Sequence, residues 1–187
     1  MKPLALAPHI REALARIEPG IATAPIEHLY VIDSRGRVVG HRTGTHNRVR
    51  PTKKLVAWMK RHPLGFITTH NHPADSAHSA KDVQVALRRL ALESRVVTKN
   101  GVFRVQPLLK LKDPPSELYK YQAALDAQAR GMTREERIEH LVRLYARGVG
   151  RVRLPGIVRF GREDLPARAR ENPRNACAWC AGYTVHL

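Results

Sequence analysis

The sequence predicts a mixed α/β protein, and three features carry that prediction. Two stretches of β-branched and aromatic residues are each folded back by a turn signal, the segments between them repeat their apolar residues at helical spacing, and Pro and Gly mark the boundaries. At 187 residues the chain can bury one good core with an appendage.

The elements follow in order. Residues 10–17 put Ile10, Ala13, Leu14 and Ile17 on one helical face, and Pro19-Gly20 is expected to end that helix. "IEHLYVID" and "RVVGHR", joined by Ser34-Arg35-Gly36-Arg37, read as a β-hairpin. Pro51 is suited to the first turn of a helix through Leu55, Trp58 and Met59 that ends near His62-Pro63. "LGFITTH" is short and bounded by Pro and Gly, so it reads as a buried strand. From 79 to 92, Val83, Ala86, Leu87, Leu90 and Ala91 keep helical period. "RVVTKNGVFRV" is a second hairpin, with Asn100-Gly101 as its turn signal. Pro114-Pro115 excludes a helix across the connector that follows. Two helices are expected at 116–130 and 133–147, the second opened by a Thr133/Glu136 capping box, and everything beyond Gly148 reads as irregular.

Composition narrows the function. With 33 Lys and Arg against 16 Asp and Glu, the chain carries +17, a field that attracts polyanions, whether nucleic acid or an acidic protein surface. Arginine dominates without forming one patterned stripe, and a GC-rich genome would produce the same bias. No apolar run approaches the roughly 20 residues that cross a bilayer, and the opening residues have too short an apolar core for a signal peptide, so a cytoplasmic protein is expected. Cys177 and Cys180 give no disulfide framework and fit a reducing compartment. With His186 they could supply three soft ligands, but a lone CxxC is a weak metal signal.

The densest chemistry lies in "TTHNHPADSAHSAKD", residues 68–82. Side chains alternate along an extended segment, so His70 and His72 project from one face about 7 Å apart while Asn71 points away. Pro73 turns the chain out of the ladder, and Asp82 opens the next helix where its carboxylate could return beside the imidazoles. Two neutral imidazoles and one carboxylate, with a fourth position left to water, make the ligand set of a catalytic zinc site. Ser79 and Asp82 are also spaced as a plain capping box. Both readings put Asp82 in the first turn and differ in what its carboxylate touches. Asn71 and His78 read as loop residues, and His28, His41 and His46 show no ligand spacing.

His70-x-His72-Pro73 followed by Ser79-x-x-Asp82 resembles the signature of the JAB/MPN metalloproteases, the JAMM family, and "HNHP" is similar to the version in RadC-like and in phage- or bacterial-operon JAB domains. The likeness extends to "IEHLYVIDSRGRVVGHRTGT", "DVQVALRRL" and "SRVVTKNGVFRV", covering about residues 10–107. It departs in one respect: nine residues separate His72 from Asp82, one fewer than the family usually has, as a deletion within "ADSAH" would produce. Asp75 and His78 are the substitute ligands that such a change leaves open.

The resemblance implies a cytidine-deaminase-like JAB/MPN fold, a curved mixed β-sheet flanked by helices with the site at its edge and a helical C-terminal appendage. The chain then divides into a JAB/MPN metalloprotease-like domain over 1–110, the appendage over 111–148 and a basic irregular segment over 149–187. It also implies Zn²⁺ on His70, His72 and Asp82, Glu27 as the proton-transferring carboxylate, and Ser79 as donor to an oxyanion. Without the family, Glu27 would read as an ordinary solvated acid at a strand start. The implied activity is hydrolysis of a peptide or isopeptide bond in a protein substrate, with ubiquitin-like proteins among the candidates. The alternative is a RadC-like module that sits with DNA or phage-assembly machinery through its basic surface, with little or no hydrolysis.

Overall fold

The computed structural model describes residues 5–107, 131–133, 136 and 158–165. Its elements are α1 (Pro8–Ile21), β1 (His28–Asp33), β2 (Val38–Thr43), α2 (Lys53–Arg61), β3 (Phe66–Asn71), α3 (Ala80–Arg89), β4 (Glu93–Thr98), β5 (Gly101–Pro107) and β6 (Val158–Glu163). The six strands form one mixed sheet in the order β2-β1-β3-β4-β5-β6. Only β3 and β4 run parallel, connected through α3, and every other neighbouring pair is antiparallel.

Each face of the sheet follows from the two-residue period of the strands. Ile32 and Ile67 face α1 and pack with Ile10, Ala13 and Leu14. Val31 and Phe66, one residue out of phase, face the other way and pack with Leu55 and Met59 of α2. Gly40 in β2 lets α2 lie close, because a Cβ there would stand 2.6 Å from a Leu55 methyl.

The α1 face also buries charge. The Arg95 guanidinium meets Glu18 of α1, Glu93 of its own strand and Glu163 of β6, each at 2.6 Å. Gln106 donates to Glu93 at 2.8 Å, and Thr69 donates to Glu18 at 2.9 Å. Burial raises the Glu93 pKa despite the opposing pull of Arg95 and Arg104. A charge without hydrogen-bonded partners would be costly at this depth, so the network specifies how α1 and strands β3 to β6 sit together.

Three expectations change. The first helix continues through Pro19 and Gly20 to Ile21. Proline in the last turn forfeits one ladder hydrogen bond, which the buried Ile21 and the Arg95-bound Glu18 outweigh. Pro51 precedes α2, whose N-cap is Thr52, with the Thr52 hydroxyl accepting from the Leu55 N–H at 3.1 Å. The segment 149–187, expected to be irregular, contributes β6, which pairs with β5 from Val102↔Glu163 to Pro107↔Val158. The sheet therefore continues past the boundary expected at 110. Part of the strand's support is tertiary, since Glu163 is bound by Arg95 and Arg104.

The second hairpin turns at Lys99 and Asn100, between paired Thr98 and Gly101. Gly101 takes a φ of +134°, and a Cβ there would meet the Glu163 carbonyl at 2.8 Å. The Thr133/Glu136 capping box is present, with Glu136 accepting from the Thr133 N–H at 2.7 Å and Thr133 Oγ1 accepting from the Glu136 N–H at 3.3 Å. The remainder of the helices expected at 116–130 and 133–147 lies outside the described residues, as do Cys177, Cys180 and His186. No helix among the described residues is long and apolar enough to cross a membrane.

Replacing Arg95 with alanine strands Glu18 and Glu93 in a dry environment. The expected loss is about 3–5 kcal/mol of folding stability, read as a fall in the urea midpoint. A loss within error of zero would mean that the network is not a structural clamp.

Candidate metal centre

The site is built where β3 ends. His70 pairs with Leu29 of β1 on one side and Val96 of β4 on the other. The site therefore sits at strand ends in the middle of the sheet, which corrects the expected position at the sheet edge. The chain order conceals this, because nothing local to "LGFITTH" reveals that the β4–β5 hairpin lies on the far side of β3.

His72 continues beside β4, its N–H bonded to the Val97 carbonyl at 3.0 Å, before Pro73 turns the chain away. His70 and His72 thus keep the common face that alternation predicts, and their Nε2 atoms approach to 3.1 Å. The carboxylate of Asp82 closes the group, with Oδ1 3.6 Å from His70 Nε2 and Oδ2 3.6 Å from His72 Nε2. One ligand atom from each residue lies within 4.8 Å of the other two, an arrangement that could hold a metal ion. Nine intervening residues are enough to bring Asp82 to His72.

Both rings are orientated by bonds on the side away from Asp82. His72 Nδ1 lies 2.9 Å from the Ser76 carbonyl and 3.0 Å from its hydroxyl. A carbonyl only accepts, so Nδ1 donates to Ser76, and Nε2 is the ring atom turned towards His70 and Asp82. The His70 ring likewise donates to the Arg95 backbone carbonyl. Burial drives its pKa down to about 4, against the pull of Asp82, so it is neutral at physiological pH.

Asp82 serves as cap and as candidate ligand at once. Its Oδ2 accepts from the Ser79 N–H at 2.8 Å and the Ser79 hydroxyl at 2.7 Å, while Ser79 Oγ accepts from the Asp82 N–H at 3.2 Å. Burial acts to raise its pKa, but the imidazoles of His70, His72 and His78 and the Ser79 hydrogen bond prevail and hold it below the ordinary carboxylate value. The two readings of Ser79-x-x-Asp82 are therefore not exclusive.

Glu27 lies just before β1, and extending the Leu29↔His70 register by two residues sets it opposite His72. It is 8% exposed, not solvated. The turn after β2 folds over it: the Glu27 N–H bonds the Thr45 carbonyl and the Gly44 N–H bonds the Glu27 carbonyl, both at 2.8 Å. Gly44 is required there, since a Cβ would stand 2.1 Å from the Arg48 carbonyl oxygen. Burial raises the Glu27 pKa, outweighing the lowering by His72 and by the Val49 backbone hydrogen bond.

The substitute ligands have other partners. Asp75 pairs with Lys99 Nζ at 3.1 Å. His78 donates through Nε2 to the Ser94 carbonyl at 3.1 Å, and its buried Nδ1 has no hydrogen-bond partner. Asn71, read from the sequence as a loop residue, ends β3 and positions Glu27. Its amide oxygen accepts from the His28 N–H at 2.7 Å, and its NH₂ donates to the carbonyls of Ala24 and Ile26 at 3.2 and 3.0 Å. Asparagine between two histidines in a strand carries no local signal for this role, because its partners lie more than 40 residues away.

Glu27, His70, His72, Ser79 and Asp82 all line a cleft of about 640 Å³. In metal-free protein the His70 ring should titrate near pH 4, well below 6.5, in an NMR pH titration. The unfolded chain binds the extra proton between these values, so this group's contribution to stability is lost as pH falls from about 6.5 towards 4. A midpoint between 6 and 7 would remove the burial argument. Asn71→Ala leaves a buried N–H and two carbonyls without this partner, and a loss of about 1–3 kcal/mol is expected in urea denaturation.

Compared with known proteins, the chain matches no family model, and no curated protein sequence matches it.

Proposed function

We propose that the protein is a zinc-dependent peptidase or isopeptidase of the JAMM type, built on a JAB/MPN fold. The observation that carries the reading is the convergence of His70, His72 and Asp82 beside a buried glutamate whose pKa is raised. The donor set fits zinc: two neutral imidazoles and one carboxylate fill three positions of a tetrahedral ion and leave the fourth open, the pattern of catalytic sites. A zinc ion bound there supplies Lewis acidity to a carbonyl and makes water acidic enough to react at neutral pH.

The protein's own residues would then move the proton. Glu27 takes it from the attacking water as the water oxygen bonds to the carbonyl carbon. It returns the proton to the departing amine as the C–N bond breaks. Its burial suits both steps, because a carboxyl with a raised pKa accepts a proton more readily than an ordinary one and still releases it. Ser79 donates a hydrogen bond from its hydroxyl to the developing oxyanion and keeps its proton. The family resemblance makes a protein substrate, including a small ubiquitin-like one, the class to test first.

The net charge of +17 favours a second reading, a RadC-like DNA-associated or phage-assembly module in which hydrolysis is minor. DNA binding by zinc-stripped protein that falls steeply with salt, without cleavage activity in the zinc form, would select it.

Purified protein should carry about one equivalent of zinc. Glu27→Gln should retain the metal and lower cleavage of a ubiquitin-like fusion by at least about a hundredfold. His72→Ala should lose both metal and cleavage. Retained cleavage in a metal-free His72→Ala protein would defeat the proposal.

A further inference from the structure

The cleft continues past the candidate metal centre along one face of α3. Asp82, Val85, Ala86 and Arg89 all line it, and their spacing of i, i+3, i+4 and i+7 puts them on a single helical stripe. Arg89 is seven residues from Asp82, so it stands about 10 Å further along the helix axis. The cleft lining includes the apolar Val85 and Ala86 of the helix, Met59 and Phe66, together with the hydrogen-bonded pair Thr68 and Ser94.

Arg89 has no carboxylate partner among the described residues. Its Nη1 donates to Met59 Sδ at 3.9 Å, a weak acceptor. Burial lowers its pKa, which is the cost of holding a cation in this recess without an anion. Arg95 is the contrast: it is fully buried, whereas Arg89 is half-buried, and three glutamates meet it. The acids among the cleft-lining residues are Glu27 and Asp82, both at the metal end, so neither is placed to serve Arg89. A half-buried guanidinium presents a planar fork of donors that matches a carboxylate.

We infer that Arg89 forms a specificity subsite for an acidic side chain of the bound peptide. An extended chain advances about 3.3 Å per residue, so the acidic residue lies about three residues from the bond that is cut. The inference rests on the peptidase reading, and it adds a substrate preference for glutamate or aspartate at that distance.

The test uses the zinc-loaded full chain and acetylated alanine-peptide hydroxamates, in which the hydroxamate anchors at the metal. One glutamate is placed at the first, second, third or fourth residue from the hydroxamate, and a matched series carries glutamine. The third-position glutamate peptide is expected to bind roughly tenfold more tightly than its glutamine partner. Arg89→Gln should abolish that difference while leaving zinc content unchanged, and Arg89→Lys should retain part of it. Should Arg89→Gln fail to fold, the wild-type glutamate and glutamine series together with Arg89→Lys still decide the matter. Metal-dependent binding with equal affinity for both series overturns the subsite and leaves the metal centre standing. If no hydroxamate binds in a zinc-dependent way, the peptidase reading fails and the subsite falls with it.

Discussion

Two imidazole Nε2 atoms face each other across 3.1 Å, and the Asp82 carboxylate stands 3.6 Å from each of them. The Ser76 carbonyl accepts from His72 Nδ1, the Arg95 carbonyl accepts a hydrogen bond from the His70 ring, and burial keeps His70 from gaining a second proton at neutral pH. The two ring nitrogens and the carboxylate thus converge on one small space, and Asp82 contributes a negative potential to it. A metal ion could be held by all three at once, because each residue offers one ligand atom. The surroundings hold these three groups together.

The scaffold does so by taking ligands from elements with little freedom to separate. β3 is fixed between β1 and β4, so the base of the His70–His72 pair cannot splay without breaking two ladders. On its reverse face, the Arg95 network joins α1 to β4 and β6, and Thr69 ties β3 to the same Glu18. Asn71 lies between the two histidines in sequence and points to the opposite face, where it binds the segment leading into Glu27. One tripeptide therefore sets the spacing of two candidate ligands and the approach of the carboxylate beside them. A pleated strand permits this only because neighbouring side chains alternate.

Much of this was legible in the sequence, and what was hidden shares a cause. The hairpin of β1 and β2, the buried β3, the helix after it and the hairpin of β4 and β5 all carry local signals, namely apolar period, turn residues and caps. The convergence of His70, His72 and Asp82 was readable too, because alternation and a capping box constrain it within a dozen residues. The features that escaped are fixed by distant partners. β6 is held through Glu163 by Arg95 and Arg104, while α1 passes Pro19 because Ile21 and Glu18 are anchored in the core. Asn71 acts through carbonyls more than 40 residues back. The central location of the site depends on strand order, which no single segment encodes.

Ser79 poses the last question of chemistry, since its hydroxyl is asked both to cap a helix and to serve the reaction. Its Oγ accepts from the Asp82 N–H, which uses a lone pair and leaves the hydroxyl proton unassigned. That proton rests on Asp82 Oδ2 at 2.7 Å, yet the same oxygen also receives the Ser79 N–H at 2.8 Å. If the hydroxyl rotates towards a new anion in the cleft, Asp82 keeps its backbone bond and its position. The helix end keeps its cap as well, because capping depends on the oxygen as acceptor. Helix capping and oxyanion binding thus draw on different parts of one hydroxyl group, so the cap does not oppose the role proposed for Ser79. Alanine at this position would remove both functions together, whereas threonine, which keeps the hydroxyl, should retain both.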